Sequence, residues 1–183
     1  MNEGPRKCPR YWPDDETDYD HIRVRYIRSE SCPYYTRREF CILNTKTDES
    51  GVVKQYQYHG WPTVEGEVPE VTRGLIELVD QTLANDTETS GSLVVHCSYG
   101  SDRSSMFVAL SILVQQLRTE KRVDIFTTTK KLRSQRHGMI STFVSVIIFI
   151  ISPYSSLYFP YRVKEFSIIY EVWHKKLASL FKK

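Results

Sequence analysis

The chain has 183 residues, 40% hydrophobic and 26% charged, which is the balance of one soluble folded domain. A net charge of +3 with no dense Lys/Arg tract excludes a nucleic-acid binder that works by charge. Four cysteines (Cys8, Cys32, Cys41, Cys97) without a CxxC pair exclude a zinc knuckle or a disulfide framework, and the polar opening MNEGPRKCPRYWPDDE is no secretory signal. No metal and no cofactor is expected, and the expected setting is reducing and cytoplasmic.

In chain order, His21–Arg28 alternates as a half-buried strand does, with Ile22, Val24 and Tyr26 on one face and Arg23 and Arg25 on the other. Arg38–Leu43 and Val52–Tyr58 repeat that texture around the turn-like NTKTDESG. The basic residues of Arg23–Arg38, and those of Lys130–Arg136, read as solvated faces. Glu70–Asn85 carries Val71, Leu75, Leu78, Val79 and Thr82 at helical spacing, with Pro69 just before it. A polar loop (Asn85–Gly91), a short strand (Ser92–His96) and a loop follow. Two helices are then predicted, Ser105–Arg118 and Val123–Arg136, the second stopped by Gly138. Strands with helices packed on them give an α/β class.

Met139–Tyr161 holds 23 residues without a charge, long enough to span a bilayer. Pro153 and five serines interrupt it, and its most apolar part, Phe143–Ile151, is only nine residues, so a buried helix is expected over a membrane span. The tail, Arg162–Lys183, has near-helical apolar spacing and ends in Lys-Lys.

The stretch VVHCSYGSDRSSMF, residues 94–107, carries the chemistry. A loop that opens a helix leaves backbone N–H groups pointing into its concavity, and such a nest at a helix N-terminus favours an anion. Ser98 through Ser104 supply the donors, and Gly100 allows a backbone conformation that other residues resist. A cysteine in that field has a lowered pKa, so Cys97 is expected as a thiolate near neutral pH. Arg103, with five residues between it and Cys97, is placed to grip two oxygens of a tetrahedral anion. A Cys-x5-Arg spacing alone is weak, because arginine is common here. The apolar run before it, the adjacent His96, the central glycine and the Ser-rich helix start make it specific. A thiolate beside an anion cradle suits attack on a phosphate ester.

HCSYGSDRSS resembles the HCSAGxGR[ST]G signature of protein-tyrosine phosphatases. KCPRYWP (7–13) is similar to that family's KCxxYWP, and QYQYHGWP (55–62) to the strand leading into its acid loop. VDIFTTTKKLRSQRHGMIST (123–142) resembles its LRxQRxGMxQT segment. The resemblance covers about residues 7–142 and points to tyrosine phosphatases rather than dual-specificity relatives. It implies a twisted mixed sheet flanked by helices, with the N-terminal part of the family domain absent. It also implies roles: Cys97 the nucleophile that forms a cysteinyl-phosphate, Arg103 the phosphate clamp, His96 a tuner of the thiolate, and Ser104 a hydroxyl assisting breakdown. Ser98, Tyr99, Gly100, Ser101, Asp102 and Arg103 would form the phosphate-binding loop.

Departures from the pattern matter as much. Where the family has its general acid Asp after Trp61-Pro62, this chain has Thr63, and loss of a general acid typically costs about 10²–10⁴ in rate. Counted back from Val68-Pro69, Glu65 takes the acid's place instead; otherwise it is an exposed loop carboxylate. Asp102 stands at a glycine position; if its carboxylate sits about 7 Å from the phosphate it would repel it by roughly 2 kcal/mol per charge and raise the Cys97 pKa, and the alternative is a side chain that points to solvent. Tyr99 replaces a small residue and would crowd the mouth. Ser141 and Ser145 stand where the glutamines that position water belong. This combination is similar to the second, membrane-distal domain of receptor tyrosine phosphatases. The expected organisation is a partial phosphatase domain over 1–142 and a divergent apolar-then-basic tail over 143–183, a fragment or alternatively processed product. The expected partners are a phosphotyrosine protein or peptide and a catalytic phosphatase domain in cis or trans; nucleic acid and membrane are not expected. The expected location is the cytoplasm or the cytoplasmic part of a receptor. The competing expectation is an inactive interaction module.

Overall fold

Alternating branched and charged residues build an antiparallel meander, β1 (Glu16–Tyr19), β2 (Ile22–Ser31), β3 (Tyr35–Asn44) and β4 (Glu49–Tyr58), in that spatial order. The structure is a computed structural model that describes residues 8–61, 73–84 and 92–140. These belong to one unit, Met1–Phe143. Directly paired residues of antiparallel strands share a face. Phe40 therefore looks the same way as Tyr26 and Val53, and Arg38 the same way as Gln55. Phe40 is buried, and the Tyr26 ring meets it edge-on at 5.9 Å.

The register of β2 against β3 passes from Tyr26↔Phe40 to Arg28↔Glu39, so Ile27 is an extra residue. Such a bulge re-aims the side chains beyond it. Ile27 turns toward solvent, and Arg28 grips Glu39 through two hydrogen bonds of 2.7 and 3.0 Å. That contact holds the Glu39 carboxyl below its usual range, against the opposing effect of burial.

Three helices follow among the described residues: α1 (Arg73–Ala84), α2 (Arg103–Glu120) and α3 (Ile125–Gln135). The core sits around α2, whose Met106, Ala109, Leu110 and Leu113 are at most 1% exposed, with Val79 of α1 and Leu132 of α3 buried as well. Burying side chains of this size contributes about 1.5–3 kcal/mol each relative to leaving them exposed. Gly74 permits a close approach: a Cβ there would lie 2.3 Å from Cγ of Tyr34. Helix α2 ends on Lys121, which adopts the left-handed conformation (φ 57°) and donates its N–H to the Leu117 carbonyl at 3.1 Å. Helix α3 starts on Asp124, whose carboxylate accepts the Thr127 N–H at 2.9 Å.

The α/β class stands, and three of the four predicted strands and helices within the three predicted helical segments are present. Strand β1 was not foreseen, since ETDY carries no apolar alternation. The expected strand Ser92–His96 is corrected: it pairs with no described strand, with Leu93 60% and Val94 82% exposed. A strand exists only through a partner's hydrogen bonds, which apolar β-branched composition does not supply. The apolar run 143–151 and the tail lie outside the described residues; among those described, no helix is long and apolar enough to cross a membrane.

Candidate active site

After Cys97 the chain bends through Ser98–Asp102 into α2. The bend depends on Gly100, whose φ of +69° is the left-handed region that costs a residue with a Cβ. This conformation brings the Gly100 N–H to 3.1 Å from Sγ of Cys97, while Oγ of the buried Ser104 stands 3.5 Å from the same sulfur. Burial opposes ionisation of the thiol. The Ser104 hydroxyl and the backbone N–H groups of Ser104, Gly100 and Tyr99 outweigh it, and the Cys97 pKa is held below the usual thiol range. Burial pulls the Arg103 guanidinium down from its ordinary range, but an arginine keeps its charge in a protein. Its Cζ lies 5.8 Å from the ring centre of Trp61, at the end of the described acid-loop approach.

The loop is braced from behind by α3 and the turn after it. Gly138 (φ 81°) and Ile140 (φ 56°) fold that turn back. Arg133 donates through Nε to the Met139 carbonyl (3.1 Å) and through Nη2 to that of Ile140 (2.5 Å). The fully buried Ile140 then donates its N–H to the Ser101 carbonyl at 3.4 Å, and the Ser105 hydroxyl donates to the same oxygen. Arg136 closes the brace: its Nη2 would lie 3.1 Å from a Cβ at Gly100.

On the opposite side a chain of polar contacts reaches in from the sheet. Oη of Tyr11 lies 2.8 Å from Nε2 of His96, and Gln55 Nε2 donates to that hydroxyl at 3.0 Å. Arg38 Nη1 donates to the side-chain carbonyls of Gln55 (3.0 Å) and Gln57 (2.9 Å), and its Cζ sits 4.6 Å from the ring centre of Trp12. Tyr11, Trp12, Gln55, Gln57 and His96 line a cleft of about 1030 Å³ that holds Cys97, Ser98, Arg103 and Ser104. The described residues lining it include Arg10, Lys54 and Arg103 and no carboxylate. Its wall is mostly apolar, and the charges on its described part are positive.

The structure brings His96, Cys97, Gly100, Arg103 and Ser104 together and places Ser98, Tyr99, Ser101 and Asp102 in the same loop. Tyr99, expected at the mouth, is 81% exposed and stands in solvent. Asp102 adopts an α-helical conformation (φ −96°, ψ −70°), so its backbone does not require glycine. On balance hydrogen bonding holds the Cys97 thiol down, with Asp102 at the helix start. Thr63, Glu65, Ser141 and Ser145 lie outside the described residues. Sequence reasoning gave no role to Tyr11, Arg38, Gln55, Arg133 or Arg136. Tyr11, Gln55, Arg133 and Arg136 stand within quoted motifs, but only the folded chain sets Tyr11 against His96, 85 positions away. Among the described residues no group of His, Cys, Asp or Glu side chains is placed to hold a metal ion.

The family model for protein-tyrosine phosphatases matches residues 1–151. Tyrosine-protein phosphatase 69D of Drosophila melanogaster is 62% identical over 148 residues, covering 78% of this chain and 10% of that protein. Receptor-type tyrosine-protein phosphatase alpha of Homo sapiens is 35% identical over 142 residues, covering 76% of this chain and 17% of its own length. Receptor-type tyrosine-protein phosphatase F of Danio rerio is 34% identical over 142 residues, covering 76% and 7%. The chain thus spans no more than 17% of the length of these relatives.

Proposed function

Because the chain belongs to the protein-tyrosine phosphatase family, we propose that its Cys97 loop takes the phosphoryl group of phosphotyrosine in a protein or peptide, with turnover slowed at the acid step. The Cys97 sulfur attacks phosphorus, an S–P bond forms and the P–O bond to the tyrosine breaks. Arg103 and the loop N–H groups hold the non-bridging oxygens throughout, where charge gathers in the transition state. Water then breaks the S–P bond, releases inorganic phosphate and returns the thiolate, with the Ser104 hydroxyl assisting. The departing phenolate needs a proton, and Thr63 does not supply one; Glu65 is the alternative donor. This defect slows phosphotyrosine cleavage by about 10²–10⁴.

The observation that carries the proposal is the sulfur itself, held 3.1 Å from the Gly100 N–H at the start of the helix that carries Arg103. The receptor-type names of most of the relatives cited support placing the chain in the cytoplasmic part of a receptor, as a membrane-distal, second-domain-like unit over residues 1–142 with a separate tail. A catalytic phosphatase domain in cis or trans would then be its partner. The scheme uses no metal or cofactor.

Vanadate titration tests the cradle. Arg103→Lys loses the bidentate fork and weakens vanadate binding by about tenfold or more, and equal affinity of the two proteins would overturn the scheme. In the same samples an activated aryl phosphate, whose leaving group needs no proton, is cleaved much faster than phosphotyrosine. Vanadate binding without Cys97-dependent turnover of either ester would favour the second reading, a phosphotyrosine-binding regulatory module. The lost acid residue Thr63 motivates that reading.

A further inference from the structure

The contacts reaching His96 from the sheet admit a set of donors and acceptors in which every hydrogen along the line meets an acceptor. A guanidinium has five donors and no acceptor, so Arg38 Nη1, at 3.0 Å, fixes the near atom of Gln55 as its carbonyl oxygen. The amide nitrogen must then face the other way, toward Tyr11, and it donates to that hydroxyl at 3.0 Å. With its oxygen accepting from Gln55, the Tyr11 O–H turns to the neighbouring group at 2.8 Å, Nε2 of His96. A ring nitrogen that accepts carries no proton, so the proton of neutral His96 resides on Nδ1.

We infer that Arg38 and Gln55 set the direction of the Tyr11 hydroxyl and, through it, the tautomer of His96, which makes Gln55 a positioning residue for the reacting thiol next to it. Arg38 is itself steadied by the Trp12 ring at 4.6 Å and by Gln57 at 2.9 Å, so the amide has no freedom to flip without losing a charged partner. The charged groups sharing this cleft are Arg10, Lys54 and Arg103, with His59 and the phenols of Tyr19, Tyr56 and Tyr58 also on its wall. On the loop side, Asp102 stands at the helix start and Arg136 lies against Gly100. A neutral His96 leaves the Cys97 thiolate to be held by the loop N–H groups and Ser104 rather than by an adjacent cation. The role rests on the preceding reading only in taking Cys97 as the reacting atom.

The test needs no turnover and no oxyanion. Long-range proton–nitrogen correlation spectra of the full chain, labelled at histidine, report which ring nitrogen carries the proton. The His96 signals are those missing from the His96→Asn spectrum. The Nδ1–H pattern is expected, and an Nε2–H pattern in the wild type overturns the inference whether or not any variant folds. Gln55→Glu supplies the second measurement. A carboxylate cannot donate, so it takes the Tyr11 O–H, the Nε2 of His96 loses its donor and becomes free to take up a proton. Alkylation of Cys97 by iodoacetamide at about pH 6 should then rise by about threefold or more, since a neighbouring cation favours the thiolate. In a Tyr11→Phe background the same change should have no effect, because the relay is gone. An unchanged rate in Gln55→Glu, or an equal rise with and without the tyrosine hydroxyl, overturns the inference. Failure of vanadate to bind would leave these spectra readable, so the two readings fail separately.

Discussion

The two sides of Cys97 are built differently. After it, every turn of the chain is tied down: Gly100 and Ser104 meet the sulfur, Ile140 holds Ser101, and α2 sinks Met106, Leu110 and Leu113 into the core. Before it, Leu93 and Val94 have most of their surface in water. The cradle that handles the anion is therefore a local device, closed by contacts within residues 97–140, whereas the run that delivers the thiol is held by no sheet ladder among the described residues. The sulfur's electrostatics belong to the first side. The position of His96 depends on the second side and on the sheet, through Tyr11.

If that contrast is right, substitutions of similar chemical size on the two sides have unequal effects. The largest is expected at Leu110, 1% exposed in the middle of α2. Leu110→Ala leaves a cavity and should cost about 2–5 kcal/mol in urea unfolding. A cost near zero would mean that the helical side is as loosely packed as the run before Cys97.

An intermediate effect is expected at the sulfur. Ser104 holds the thiol pKa down, so Ser104→Ala lets it rise toward the ordinary value. The sign is definite: at a pH below the pKa a smaller fraction is thiolate, and alkylation of Cys97 near pH 6 should fall by about threefold to tenfold. At a pH well above the thiol's ordinary range both proteins are ionised and the rates should converge. A ratio that stayed constant with pH would show that the serine acts by sterics and not on the thiolate.

The smallest effect is expected at Val94, 82% exposed on the other side. Val94→Ser should change unfolding stability by no more than about 0.5 kcal/mol, as surface substitutions do. A loss approaching that of Leu110→Ala would show that this run is covered in solution, by another copy or by another part of the protein, and would erase the comparison.

Much of the fold was legible because it rests on periodicity. Period-two alternation in His21–Arg28 and helical spacing in Glu70–Asn85 persist in β2 and α1, since each burial pattern is local to one element. The bulge at Ile27 was not legible, because a register shift is a property of two strands. Nor was the solvent-facing Ser92–His96 run, whose composition reads as strand while its environment provides no ladder.

Within the site the same division holds. Sequence alone determined which chemical groups the loop carries: a thiol, a guanidinium six positions beyond it, and a glycine between them where the chain must take a positive φ. These follow from backbone sterics and from donor and acceptor inventories that a residue carries wherever it sits. Tertiary structure decided what those groups face. It set Tyr11 on His96, Gln55 on Tyr11 and Arg38 on Gln55, and laid Arg136 behind Gly100. Hydrogen bonds act over about 3 Å of space and have no fixed sequence interval, so a relay gathered from three separate segments exists only once the chain has folded.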